Sequence, residues 1–167
     1  MRGGRTAGAV LVVGILAGCG GVPAPVQTPL TLEEAPGHYE AVLADVRQTV
    51  DGATGPLDWM SSERELVPWT VADGHCPHWS PEWRTEVSIA TDDVWSRVVE
   101  SLEPVLAEHG FEVLDQNEQG TGGWAYVRAE DDNGAVFTLR SKGNTELGVS
   151  GGSVVLGAAT ACPTVDA

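Results

Sequence analysis

Apolar positions recur at helical spacing in two stretches of the chain and at strand spacing in most of its second half. Tyr39, Val42, Leu43, Val46 and Val50 fall on one face of a helix predicted over 36–50. Pro36 fits only a first helical turn, whereas Thr31-x-x-Glu34 has the spacing of a capping box that would start the helix earlier; Gly52 is expected to stop it. A second helix is predicted over 93–109, with Trp95, Val98, Val99, Leu102, Val105 and Leu106 as a broad apolar face and Thr91 or Asp92 as its cap. Pro104 removes a hydrogen bond to the Glu100 carbonyl and predicts a kink there. Gly110 stands where a left-handed terminating residue is needed, so that Phe111 folds back on Leu106.

Strands are predicted over 111–115, 124–129 and 135–140, and weakly over 83–89. Two more, 145–149 and 153–156, are separated by Gly151-Gly152. Asn133-Gly134 is the strongest short hairpin signal in the chain. Helix, irregular segment, helix and then consecutive hairpins predict an α+β domain. Two helices should pack on one face of a four- or five-stranded antiparallel sheet.

Residues 53–82 have no clear period and hold Gly55-Pro56, Trp59, Trp69, Cys76-Pro77 and Trp79, with Trp83 at the exit. So long a stretch is either functional or pinned. Trp59, Trp69, Trp79 and Trp83 are therefore candidate binding residues for a glycan or lipid. The competing expectation is that the rings are core material, covering a helix and sheet where regular elements are lacking. His75-Cys76-Pro77-His78 places three potential metal ligands together, but zinc would need a thiolate and a fourth ligand. If Cys76 is oxidised there is no metal site, only a loop with two surface histidines. Glu63 and Glu65, and the pair Asp92-Asp93, offer carboxylates, yet general acid–base work needs one of a pair buried with its pKa displaced. Ser61, Ser62 and Ser153 lack a nucleophile's context, and Gly120-Thr121-Gly122-Gly123 precedes a strand where a phosphate cradle would precede a helix. No catalytic residue and no cofactor is expected.

The chain begins with Arg2 and Arg5, then an apolar run from Ala7 to Ala17. That run is about eleven residues, short of the roughly twenty that span a bilayer, and reads as an export signal. Leu16-Ala17-Gly18-Cys19 resembles a bacterial lipobox. The resemblance implies diacylglycerol on the Cys19 sulfur, cleavage before Cys19 and acylation of the new terminus. The expected organisation is a signal peptide over 1–18, the lipidated cysteine with a Pro-rich tether over 19–32, and one domain over 33–167. At about 3.1 Å per residue in polyproline conformation, the tether would reach roughly 35 Å. With Cys19 taken by the anchor, Cys76 and Cys162 remain as an even pair outside the cytoplasm, and a disulfide between them is expected.

Charge narrows the partners. The net charge is −15, from 9 Lys+Arg against 24 Asp+Glu, and Lys142 is the single lysine. Such a chain repels nucleic acid, whose binding needs cations to displace counterions. It would equally repel anionic headgroups, so contact with the cell membrane should come from lipid on Cys19, at the extracytoplasmic face. Lipobox, Pro-rich tether, Tyr39-centred helix, Trp/Cys-containing middle, a helix ending Gly110-Phe111, Asn133-Gly134 hairpin strands and a late cysteine together resemble the LppA-like lipoproteins of high-GC Gram-positive bacteria. That resemblance implies a cell-surface lipoprotein and supplies no catalytic residue. The function expected is non-catalytic display of a small domain for binding to a protein, glycan or lipid partner. The alternatives are a Trp-lined glycan- or lipid-binding module and an envelope-acting enzyme using paired carboxylates.

Overall fold

The computed structural model describes residues 29–62, 75–117, 123–158 and 162. Cys19, Trp69, Glu63, Glu65 and most of the tether lie outside them. The elements are α1 (Ala35–Thr54), β1 (Met60–Ser62), β2 (His75–Trp79), β3 (Glu82–Thr85), α2 (Asp92–Glu108), β4 (Phe111–Asn117), β5 (Ala125–Asp131), β6 (Val136–Ser141) and β7 (Thr145–Val155).

The architecture is α+β, as the periodicity predicts, but among the described residues the sheet has seven strands where four or five were expected. Its order is β1-β3-β7-β6-β5-β4, all antiparallel, and β2 also pairs with β7. β3 lies along the first residues of β7 and β2 along its last ones, end to end on the same side. The additional strands β1 and β2 come from the segment without a visible period. They are three and five residues long, too short for alternation to stand out. β2 accommodates Pro77 because its far side carries no further strand among the described residues.

Two expected strands merge into β7, and Gly151 explains how. It sits at φ +85°, a left-handed conformation that suits glycine, and the pairing with β2 shifts register there. The bulge changes which residues face inward: Leu147 and Val149 are buried before it, Gly152 and Val154 after it. Gly152 has no room for a side chain, since a Cβ would stand 2.9 Å from the Ala135 Cβ and 3.1 Å from the Tyr39 hydroxyl.

Both helices cover one face of the sheet. Tyr39, Val42, Leu43, Val46 and Val50 of α1 are fully buried, as are Val98 and Leu106 of α2, with Trp95 and Leu102 nearly so. They meet Val127, Ala129, Phe137, Leu139, Leu147, Val149 and Val154 from the strands. Phe111 folds into this core edge-to-face with Tyr39 and Phe137, and Gly110 before it takes φ +80°.

The helix ends differ from the expectation in instructive ways. Thr31 and Glu34 do exchange capping-box bonds: Glu34 N–H donates to the Thr31 hydroxyl at 3.3 Å, and Thr31 N–H to the Glu34 carboxylate at 3.1 Å. They close a turn just ahead of the helix, and Pro36 then sits in its first turn, so the two signals coexist. Gly52 does not stop α1, which runs on to Thr54 because Asp51 secures the segment beyond the helix. Its carboxylate accepts from Leu57 N–H at 3.3 Å and Trp59 Nε1 at 2.9 Å. Thr91 is the N-cap of α2, with no side-chain capping bond.

Leu30–Leu32, expected in the tether, are instead held to the domain. Leu32 N–H donates to the Val155 carbonyl and Val155 N–H to that of Leu30, a parallel bridge at the end of β7. Cys76 and Cys162 are joined by a disulfide, with Cα atoms 5.6 Å apart, beside this same end of the sheet. Among the described residues, no helix is long and apolar enough to cross a membrane.

Candidate functional site

Three of the four candidate tryptophans can be placed. Trp83 aligns with Leu147 on the helix-covered face, and the Arg47 guanidinium lies 3.4 Å from its ring centroid. Arg47 is itself fixed by the Leu43 carbonyl and by Glu40, each at 3.1 Å. Trp59 is tied to Asp51 and packs against the core. Trp79 aligns with Ser150 and so belongs to the opposite, open face of the sheet. The structure therefore does not gather Trp59, Trp79 and Trp83 into one groove.

His75-Cys76-Pro77-His78 is a strand and not a loop, which corrects the expectation of two surface histidines. Alternation along β2 turns Cys76 and His78 inward, and His78 is only 8% exposed. Its ring stacks on Tyr39 at 4.8 Å between centroids. Cys76 is oxidised, and among the described residues no three His, Cys, Asp or Glu side chains gather as a metal site would require.

The most concentrated polar chemistry inside the domain surrounds Asp131, which sequence reasoning missed. One carboxylate oxygen accepts from Ala135 N–H at 2.7 Å and Asn133 N–H at 2.9 Å. The other accepts from the Tyr39 hydroxyl at 2.8 Å and the Asn133 amide at 3.2 Å. Burial, reinforced by the bond to Asp131, raises the Tyr39 phenol well above its ordinary range. An aspartate two residues before Asn-Gly is the signal that was available, because Asp side chains bond the backbone of the turn they begin.

His78 gives this region a pH dependence. Burial, assisted by the charge of nearby His38, pushes its imidazole down to about 4, and among the described residues Nε2 has no hydrogen-bond partner. An unfolded histidine titrates near 6.5. Between those values the unfolded chain binds a proton that the folded one excludes, so stability is full above about 6.5 and falls as the pH drops towards 4. The loss should approach roughly 3 kcal/mol at most. Urea unfolding between pH 7 and 4.5 should show it, and His78→Phe should flatten the decline. Parallel declines in parent and variant would refute the assignment.

On the open face, Glu82, Arg140 and Glu146 line a small polar cleft of about 90 Å³ with Thr138, Gly148 and Ser150. Arg140 bridges the two carboxylates, at 3.3 Å to Glu82 and 2.5 Å to Glu146. Burial alone would raise the Glu146 carboxyl, but bonds from Asn144 and Arg140, with the charges of Arg140 and Arg84, outweigh it and hold the group below its usual range. An acid held ionised this way is not poised to donate a proton.

No family model matches the chain, and no curated protein matches it. The fold does have a solved counterpart. The crystal structure of LppA from Mycobacterium tuberculosis, a protein described as a candidate lipoprotein, superimposes with a TM-score of 0.58 at 12% identity. It covers 82% of this chain and 85% of that one. At that identity the likeness is one of fold.

Proposed function

We propose that this chain is a non-catalytic lipoprotein, held at the extracytoplasmic face of the cell membrane by diacylglycerol on Cys19, which displays its α+β domain for binding. The observation that carries this reading is Leu16-Ala17-Gly18-Cys19 between an apolar leader and a Pro-rich stretch. The fold shared with LppA supports it, since that protein is itself described as a candidate lipoprotein. The pairing of Leu30–Leu32 with β7 supports it too, because the tether would then meet the domain at one defined end.

Mass spectrometry of membrane-extracted protein should find acylated Cys19 as the first residue, and Cys19→Ser should move the protein from the membrane fraction to the soluble one. Unmodified Cys19 with residues 1–18 retained would overturn the proposal.

A further inference from the structure

The edge strand β4 leaves a seam against α2. Its residues Phe111, Val113 and Gln116 stand opposite Asp131, Ala129 and Val127 of β5, on the face that the helices cover. Phe111 is buried in the core, whereas Gln116 is exposed where neighbouring strands place apolar side chains. The register shifts between Val113 and Asp115, which leaves Leu114 unpaired and half exposed and bends the strand. The result is a cleft of about 310 Å³ lined by Trp95, Ser96, Val99, Glu100, Gln116 and Asn117. A second cavity of about 230 Å³ continues it past Leu102, Glu103 and Val113, and the two share Val99 and Gln116.

The lining selects a class of ligand. Glu100 and Glu103 accept hydrogen bonds, while the Gln116 amide both donates and accepts. Val99 adds a half-buried apolar patch, and Trp95, 2% exposed, closes the cleft from behind without offering its ring face. Neighbouring hydroxyls above a C–H surface match that set, as in a sugar ring. Among the described residues the lining contains no cation to neutralise phosphate or carboxylate, and its two glutamates repel both. An acyl chain would meet the exposed carboxylates of Glu100 and Glu103 and the Gln116 amide beside the apolar residues of the wall. The volume falls at the small end of the roughly 300–1,000 Å³ of ligand sites.

Position agrees with this chemistry. Asn117, Tyr126, Arg140 and Glu146 form one row across the sheet. Thr31 meets β7 at Val155, nine residues beyond Glu146, or about 30 Å along the strand. The cleft therefore opens at the end of the domain away from the tether.

We infer that the α2–β4 cleft binds an uncharged glycan, one ring between Glu100 and Gln116 and the next along Glu103. This deepens the display reading and rests on it for where the ligand is met. The test uses the full lipidated protein in phosphatidylcholine nanodiscs, titrated with neutral disaccharides of pentoses, hexoses and N-acetylhexosamines. Uronic-acid and phosphorylated counterparts and lysophosphatidylcholine are run beside them.

At least one neutral disaccharide should bind and shift the amide resonances of residues 96–100 and 116. The anionic counterparts should bind about tenfold more weakly. Glu100→Ala with Gln116→Ala, both at exposed positions, should weaken binding by a similar factor while leaving the circular dichroism spectrum and melting temperature unchanged. No binding by any neutral sugar, shifts confined to other residues, or occupation of the cleft by lysolipid instead would each overturn the inference. Anchoring is read separately by Cys19→Ser fractionation, so either reading can fail without the other.

Discussion

Asp131→Ala is expected to lower the unfolding free energy by about 3–4 kcal/mol, among the largest effects of any single substitution in the domain. The carboxylate is 8% exposed and accepts four hydrogen bonds. Its removal strands the Tyr39 hydroxyl and the Ala135 N–H in the interior, where an unmet donor costs about 1–3 kcal/mol. The damage should also spread. Asn133, which Asp131 positions, accepts Ser153 N–H through its carbonyl at 2.9 Å, and its side chain reaches Leu30 N–H at 3.4 Å. Hairpin, first helix, last strand and the chain entering at Leu30 thus meet at one side chain.

Tyr39→Phe removes a single bond to a carboxylate that keeps three others, so its cost should be about 1–2 kcal/mol. Gly152 should tolerate no side chain, because Tyr39 and Ala135 already occupy the space. Urea titrations of Asp131→Ala and Tyr39→Phe test the ordering. A loss below about 1 kcal/mol for Asp131→Ala would show that the network does not hold the fold together.

The helices and the inward faces of the hairpin strands were legible because period alone decides them. All five apolar positions of the first helix are buried, and so is Phe111 after Gly110. The illegible features depended on distant partners. Gly52 looked like a stop, but the end of α1 is set by Asp51 reaching Leu57 and Trp59. β1 and β2 carry no readable period because they complete a sheet whose other strands supply the register. His78 passed for a surface residue until β2 paired with β7 and turned it onto Tyr39. The α2–β4 cleft hinges on a one-residue bulge that returns Gln116 to the inner face, and the residues 111–117 do not announce it.

Cys162→Ser is the second large effect, with an expected loss of about 4–5 kcal/mol. The disulfide joins residues 86 apart in sequence, and closing so long a loop removes much of the unfolded chain's entropy. Cys162 gives the cleaner measurement. It is half-buried, whereas Cys76 is 1% exposed among apolar side chains, so Cys76→Ser would add the burial of a hydroxyl.

The bridge also has a local task. Among the described residues β2 pairs with the sheet through β7 alone, and the Cys76 disulfide ties it to Cys162 beyond β7. Without it, β2 should loosen before the rest of the domain, exposing His78 and the Tyr39 ring beneath it. Two results are expected together in Cys162→Ser: a lower denaturation midpoint, and amide exchange accelerated in 75–79 more than in β5 or β6. An unchanged midpoint would refute the stabilising role. Uniform exchange across the sheet would show that the bridge acts only on the unfolded chain.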